Sequence, residues 1–466
     1  MKLLSFLLFL TFTAAALAQD QYPKNPNVDI QNYSYTLFLN DSTNEIRGEA
    51  RIEALIEPGT EKLSFDLVAK NSNGTGMMIT EVIEEDIPAT YSYRDDRLEI
   101  SPLPDLNKER VFHIRYHGIP ERGLVIDTTK YGERSFFGDN WPNLARHWLP
   151  SVDHPYDKAS VTFSVIAPEY YDVVATGKKV EESNLDNGYK LTRYYEPAPV
   201  ATKVMTIGVT RFASSTLGFV GDIEISAWVY PENRLEGFND YAPAVEVMEY
   251  FTGNIGPYPW AKLANMQAKT QWGGLENAGT IAYRESSVTG QSEVEDLIAH
   301  EVAHQWFGNS ATEANWNHVW LSEGFATYFT VLYLENKYGK ERRISEMKQD
   351  RDQVIVYATT IVDPMNVLST NTYQKGGWAL HMLRRKLGDD VFWEGIRTYY
   401  ANYAYSNALT PDFRAVMEAV SGQDLKPFFR QWLYGSGFPV LDTDWQYTAG
   451  KLILNLKQVQ DQPAFS

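Results

Sequence analysis

The stretch HEVAHQWFGNSATEANWNHVWLSEGFATYF, from His300 to Phe329, decides how this chain is read. It opens with H-E-x-x-H. On a helix, residues four apart share a face, so His300 and His304 can meet one ion, with Glu301 beside them. A zinc site of this kind needs a third protein ligand and an open position for water. Glu313 is near, but it sits in a polar connecting stretch. Glu323 lies nineteen positions after His304, just inside a helix expected to start near Leu321, and is the expected third ligand. Two neutral imidazoles and one carboxylate suit a single Zn²⁺ per chain. Such an ion acidifies water, and Glu301 is placed to take that water's proton and pass it to a leaving nitrogen. The chemistry expected is metal-assisted amide hydrolysis. The alternative is two histidines that bind no ion.

The whole chain sets bounds on this reading. It has 466 residues, too many for one ordinary core, and a formal net charge of −18. No long Lys/Arg cluster offers a nucleic-acid partner the basic stripe it would need. Cysteine is absent, so disulfides, thiolate ligands and a cysteine nucleophile are excluded. The N-terminus pairs Lys2 with an apolar run from Leu3 to Phe12 and an A-x-A site at Ala16-Leu17-Ala18. This reads as a signal peptide over residues 1–18 and an exported protein, periplasmic or extracellular. The apolar run is short for a bilayer span, and no later segment is apolar enough.

From Tyr22 to about Ser215 the pattern is β. Tyr33, Tyr35, Leu37 and Leu39 alternate with Ser34, Thr36 and Phe38, a turn follows at Asn40 to Thr43, and then Ile52, Ala54 and Ile56 alternate with Arg51 and Glu53. These runs read as antiparallel strands. Ser160 to Ile166 and Val204 to Val209 fit the same domain, and the acidic run Glu84 to Asp86 reads as a solvated face. From about Asp240 helical spacing takes over, as in Phe325, Phe329, Leu332 and Tyr333. Gly376 to Leu387 is a further helix closed by Gly388. Near the end, Trp445 and Tyr447, a turn at Ala449-Gly450, and Leu452, Leu454 and Leu456 read as one hairpin. A lone hairpin is marginal in water, so it is expected to pack on the helical domain or to belong to something longer. The expected division is 19–217, 218–436 and a 437–466 hairpin that would open a third domain.

Two further stretches are weak alone. In Gln271 to Gly279 (QWGGLENAG), two glycines beside an acid let a backbone strand approach a ligand, and Glu276 could take a peptide's ammonium or simply be solvated. In Asn371 to Gly377 (NTYQKGG), Tyr373 could donate to an oxyanion or simply pack.

Together GGLEN, HEVAH…SEG and YQKG, in that order, resemble the M1 family of zinc aminopeptidases (gluzincins). GPYPWAKL, QWFGN, WNHVWLSEGF and the stretch from Arg146 to Val165 are similar to the family as well. The resemblance implies a multidomain α+β fold. An N-terminal antiparallel β saddle domain precedes a thermolysin-like, mainly helical catalytic domain, with a short C-terminal β segment. It implies His300, His304 and Glu323 as zinc ligands, Glu301 as general base and then acid, and Tyr373 as oxyanion stabiliser. Glu276 would hold the α-ammonium of a peptide with a free N-terminus, and Gly273, Gly274 and Asn277 would border that peptide. His318, Asp153, His154 and Lys158 read as structural.

Three departures stand out. Leu275 replaces the usual Met. Asp139 stands where many members have a Gln lining the first side-chain pocket; an acid there would favour a cationic first residue or help bind the amine. The chain also stops before the family's large helical C-terminal domain. A non-catalytic peptide-binding protein on the same fold, and a zinc hydrolase acting on an epoxide as well as peptides, are the competing readings.

Overall fold

The computed structural model describes residues 20–104, 107–364, 366–460 and 464–465. The stretch read as a signal peptide lies outside the described residues. No described helix is long and apolar enough to cross a membrane.

The N-terminal part is built on an eight-stranded sheet. Strand Val28–Phe38 lies beside Ile46–Ile56 in antiparallel register, Tyr33 opposite Ile52. Its alternation buries Tyr33, Tyr35 and Leu37, and the partner strand buries Ile52, Ala54 and Ile56. On its other side the same strand pairs in parallel with Lys158–Pro168, Asn32 opposite Ser160, so one parallel pair sits inside an otherwise antiparallel sheet. A bulge between Ile30 and Asn32 shifts the phase of alternation. Of the run Glu84 to Asp86, Glu85 and Asp86 form the expected solvated face, but Glu84 does not. Glu84 is fully buried in an ion pair with Arg110, because its strand, Gly76–Glu84, turns that side chain inward.

Helical spacing from Asp240 is interrupted by a second sheet. Strands Ala213–Val220, Ile223–Val229, Leu263–Ala268, Thr280–Arg284 and Gly274–Leu275 form five strands in that spatial order. Leu263–Ala268 is buried at every position, so it lacks the alternation that would mark it as a strand in sequence. Beyond it come helix α1 (Glu295–Ala303), α2 (Trp320–Tyr338), α3 (Lys340–Val354) and α4 (Gly376–Leu387). Beside them the rings of Phe307, Phe325, Phe329 and Tyr399, the last on the helix Asp389–Tyr403, pack against one another.

The two parts are locked together just after His304. Lys203 and Glu313 form a buried ion pair at 2.5 Å, and the Lys203 ammonium lies 5.4 Å from the Trp316 ring centroid. Lys158 donates to the carbonyls of Asn309 and Ser310 at 3.1 and 2.7 Å. The C-terminal hairpin, Leu441–Thr448 with Lys451–Gln458, does form. It does not pack on the helices: Trp445 is 65% exposed and Leu454 53%.

Candidate metal centre

Helix α1 carries His300 and Glu301, and His304 caps its end. Glu323 enters from the first turn of α2. His300 Nε2 and His304 Nε2 lie 3.1 Å apart, and Glu323 Oε2 lies 3.5 and 3.2 Å from them. Ligands about 2.0–2.1 Å from a tetrahedral ion are about 3.3 Å apart, so three donor atoms at these separations fit one zinc ion. His304 Nδ1 faces the Phe307 carbonyl at 3.2 Å and Ser322 Oγ at 3.0 Å. A proton on Nδ1 donating to that carbonyl leaves the Nε2 lone pair free for a metal.

The charges favour a cation. Burial drives the Glu301 carboxyl well above the usual carboxylate range; His304 opposes this, while Glu276 and Glu323 add to it. Burial also raises Glu323, but the imidazoles of His304 and His300 outweigh it and hold it low. Burial lowers His304, yet Glu323, Glu276 and Glu301 push it up to about 9. A divalent ion beside these groups would favour the ionised form of the carboxylates and the neutral form of the imidazoles.

The donors open into a cleft of about 500 Å³. Glu301 lines it, and Gly274 presses on Glu301 so closely that a Cβ there would lie 2.3 Å from Oε1. Gly273 and Glu276 line it too. Glu276 is 5% exposed and its Oε1 has no hydrogen-bond partner among the described residues. The backbone carbonyl of Glu276 is gripped by the side-chain amides of Gln305 and Asn309, both in QWFGN. Tyr373 sits on a single π-helical turn, Asn371–Lys375, with its ring stacked 6.1 Å from that of His300. Burial, and then the carboxylates Glu323, Glu276 and Glu301, push its phenol up, so it stays protonated and able to donate.

Two expected residues lie elsewhere. Asn277 is fully buried behind the cleft, and its side-chain atoms have no partner among the described residues. Asp139 lines an adjoining cavity. His318 bonds to Thr410 at 2.8 Å and stands outside the donor cluster. Cleft residues that the motifs do not announce include Trp141, Trp272, Leu368, Asp296, Glu346 and Asp350. Only Trp272, inside QWGGLEN, carried a sequence signal.

A β domain joined to a helical domain with these donors defines a gluzincin-type metallopeptidase fold. The chain belongs to peptidase family M1: residues 30–203 match the Peptidase M1 N-terminal domain and residues 240–432 the Peptidase family M1 domain. It is 27% identical over 353 residues to rat glutamyl aminopeptidase, an overlap covering 70% of this chain and 37% of that protein. The chain thus spans little more than a third of that relative's length. It superposes on an M1 zinc metallopeptidase from Deinococcus radiodurans with a TM-score of 0.77 at 21% identity, covering 89% of this chain and 95% of that one. For the native yeast LTA4 hydrolase the TM-score is 0.76 at 21% identity, covering 89% and 69%.

Proposed function

We propose that the protein is a zinc-dependent aminopeptidase that removes the N-terminal residue of peptides. The observation that carries this reading is Glu276: a buried carboxylate with an unpartnered oxygen, in the same cleft as the three metal donors. Such a group binds an ammonium, and an ammonium one residue from the scissile bond is the mark of an exopeptidase. Zinc bound by His300, His304 and Glu323 would supply a Lewis acid that polarises the scissile carbonyl and acidifies water. Glu301, which lines the cleft beside the metal donors, takes the proton from the attacking water and returns it to the leaving nitrogen. The Tyr373 hydroxyl donates to the carbonyl oxygen as it gains charge. Gly273 and Gly274 keep a backbone edge free of side chains for the substrate chain.

The test compares aminoacyl-anilides with free and acetylated N-termini, using the zinc-loaded chain from residue 19 and a Glu301→Gln control. Cleavage of the free-amine substrates alone, lost in the control, supports the reading. Cleavage of both would mean an endopeptidase-like cleft. No cleavage with zinc bound would favour a peptide-binding role. We also propose that the protein acts outside the cytoplasm, on the strength of residues 1–18; a mature N-terminus still at Met1 in the expressing cell would refute this.

A further inference from the structure

The cleft has a direction. Glu276 is held beside the C-terminal end of α1 by Gln305 and Asn309, whereas Asp296 projects into the cleft from the first turn of α1. These ends are about 13 Å apart along the helix. His300 lies between them, and His304 lies at the C-terminal end. A peptide whose ammonium meets Glu276 therefore directs its later residues toward Asp296, Glu346 and Asp350. Its first side chain branches beside Glu276, where Trp272, Trp141, Leu275 and Leu368 line the cleft. These four belong to an apolar cluster separate from the main core. Trp141 meets Trp272 edge-on at 6.1 Å and Trp316 at 5.3 Å.

Behind this wall sits Asp139, 5% exposed. Both of its oxygens are engaged. The Trp272 indole N–H donates to Oδ1 at 3.1 Å, and the Thr270 hydroxyl donates to Oδ2 at 3.1 Å. Thr270 Oγ1 also accepts from the Trp272 backbone N–H at 3.2 Å. Asp139 lines the adjoining cavity and not the cleft that holds the metal donors, and there its oxygens accept from the half-buried Trp272 indole and from Thr270.

We infer that Asp139 is a positioning residue that fixes the Trp272 indole, so that Trp272 and Trp141 form an aromatic wall selecting aromatic and large aliphatic first residues over cationic ones. This rests on the aminopeptidase reading. An edge-on pair of rings held from behind offers apolar surface and ring faces to an incoming side chain, and no free carboxylate. The cationic preference that an acid at position 139 suggested in sequence gives way to an apolar one.

The experiment measures kcat/KM of the zinc-loaded full chain on phenylalanyl-, norleucyl- and lysyl-anilides. Alongside, calorimetry follows binding of L-phenylalaninamide and L-lysinamide. Variants are Trp272→Ala, Asp139→Ala and Asp139→Asn, each checked for fold by near-ultraviolet circular dichroism. The wild type is expected to favour phenylalanyl and norleucyl over lysyl by about tenfold or more. Trp272→Ala and Asp139→Ala erase most of that ratio, through KM more than kcat. Asp139→Asn keeps it, because an amide can accept from the indole and donate to Thr270. A lysyl preference lost in Asp139→Asn would overturn the inference, as would a ratio unchanged in Trp272→Ala. If no substrate is cleaved, the aminopeptidase reading fails and the calorimetry still decides. Phenylalaninamide binding weakened at least fivefold in Trp272→Ala upholds the wall, while undetectable or unchanged binding overturns it.

Discussion

Gly324 and Gly376 touch backbone to backbone. A Cβ built on either glycine would lie 3.0 Å from the other's Cα. Gly324 follows the ligand Glu323, and Gly376 opens α4 three residues after Tyr373. The contact therefore sets how closely the tyrosine approaches the metal donors. We predict that Gly376→Ala costs about 1–3 kcal/mol from overpacking, partly offset by alanine's better helix propensity. Moving Tyr373 by a fraction of an ångström should lower kcat by about tenfold or more. Chemical denaturation and steady-state kinetics read the two effects; an unchanged kcat would show that the contact does not position Tyr373.

Gly274 stands in the same relation to Glu301. Its missing Cβ leaves the space that the Glu301 carboxylate fills. Gly274→Ala should displace the carboxylate and cut kcat by about a hundredfold while zinc content, measured by mass spectrometry, stays at one per chain. A variant that loses zinc as well would mean that the backbone change spreads into α1.

Removing the metal should expose the crowding of charge around it. Zinc at a thousandfold excess over its dissociation constant adds about 4 kcal/mol of stability. A chelator should thus lower the Tm by several degrees, and restored zinc should recover it. His304→Ala should abolish this response, whereas Glu301→Gln should retain it. A Tm indifferent to chelation in the wild type would remove the case for a metal site.

Asp157 makes stability depend on pH. Burial pushes its carboxyl up to about 8, with Asp29 adding and Tyr33 opposing. The unfolded value is about 4. The folded state thus binds the proton more tightly, so this contribution is complete below about pH 4 and is lost as the pH rises through 8. Between pH 5 and 9 the wild-type unfolding free energy from urea denaturation should fall more steeply than that of Asp157→Asn, by roughly a few kcal/mol. Parallel curves would show that Asp157 is charged in the folded state.

The Lys203–Glu313 pair is fully buried between the two parts of the chain. Glu313→Gln leaves an uncompensated ammonium and should cost about 3–5 kcal/mol, whereas the double change Lys203→Met with Glu313→Leu should come close to neutral. A double-mutant cycle by urea denaturation measures the coupling.

Several features could be read from residue order. The alternation at Tyr33, Tyr35 and Leu37 marked a strand, because one face of that sheet is buried and the other partly wet. H-E-x-x-H marked a metal site, because helical geometry alone brings residues four apart to one ion. The strand Leu263–Ala268 was not legible, since a segment buried on both faces shows no period. Nor was the burial of Glu84, whose partner Arg110 is twenty-six residues away.

By itself the sequence determined the metal pattern: His300 and His304 on one helix face, Glu301 beside them and an acid on the next helix. Local geometry and residue type suffice for that, whereas the readings of Glu276 and Tyr373 came from the family resemblance. Only the tertiary structure decided which groups face the cleft. Asp139 and Trp272 are 133 positions apart, and their hydrogen bond joins an acid lining one cavity to an indole lining the cleft with the metal donors. The same folding brings Gly324 and Gly376 into contact. Such choices depend on distant segments competing for one buried space, and no short stretch of chain carries that information.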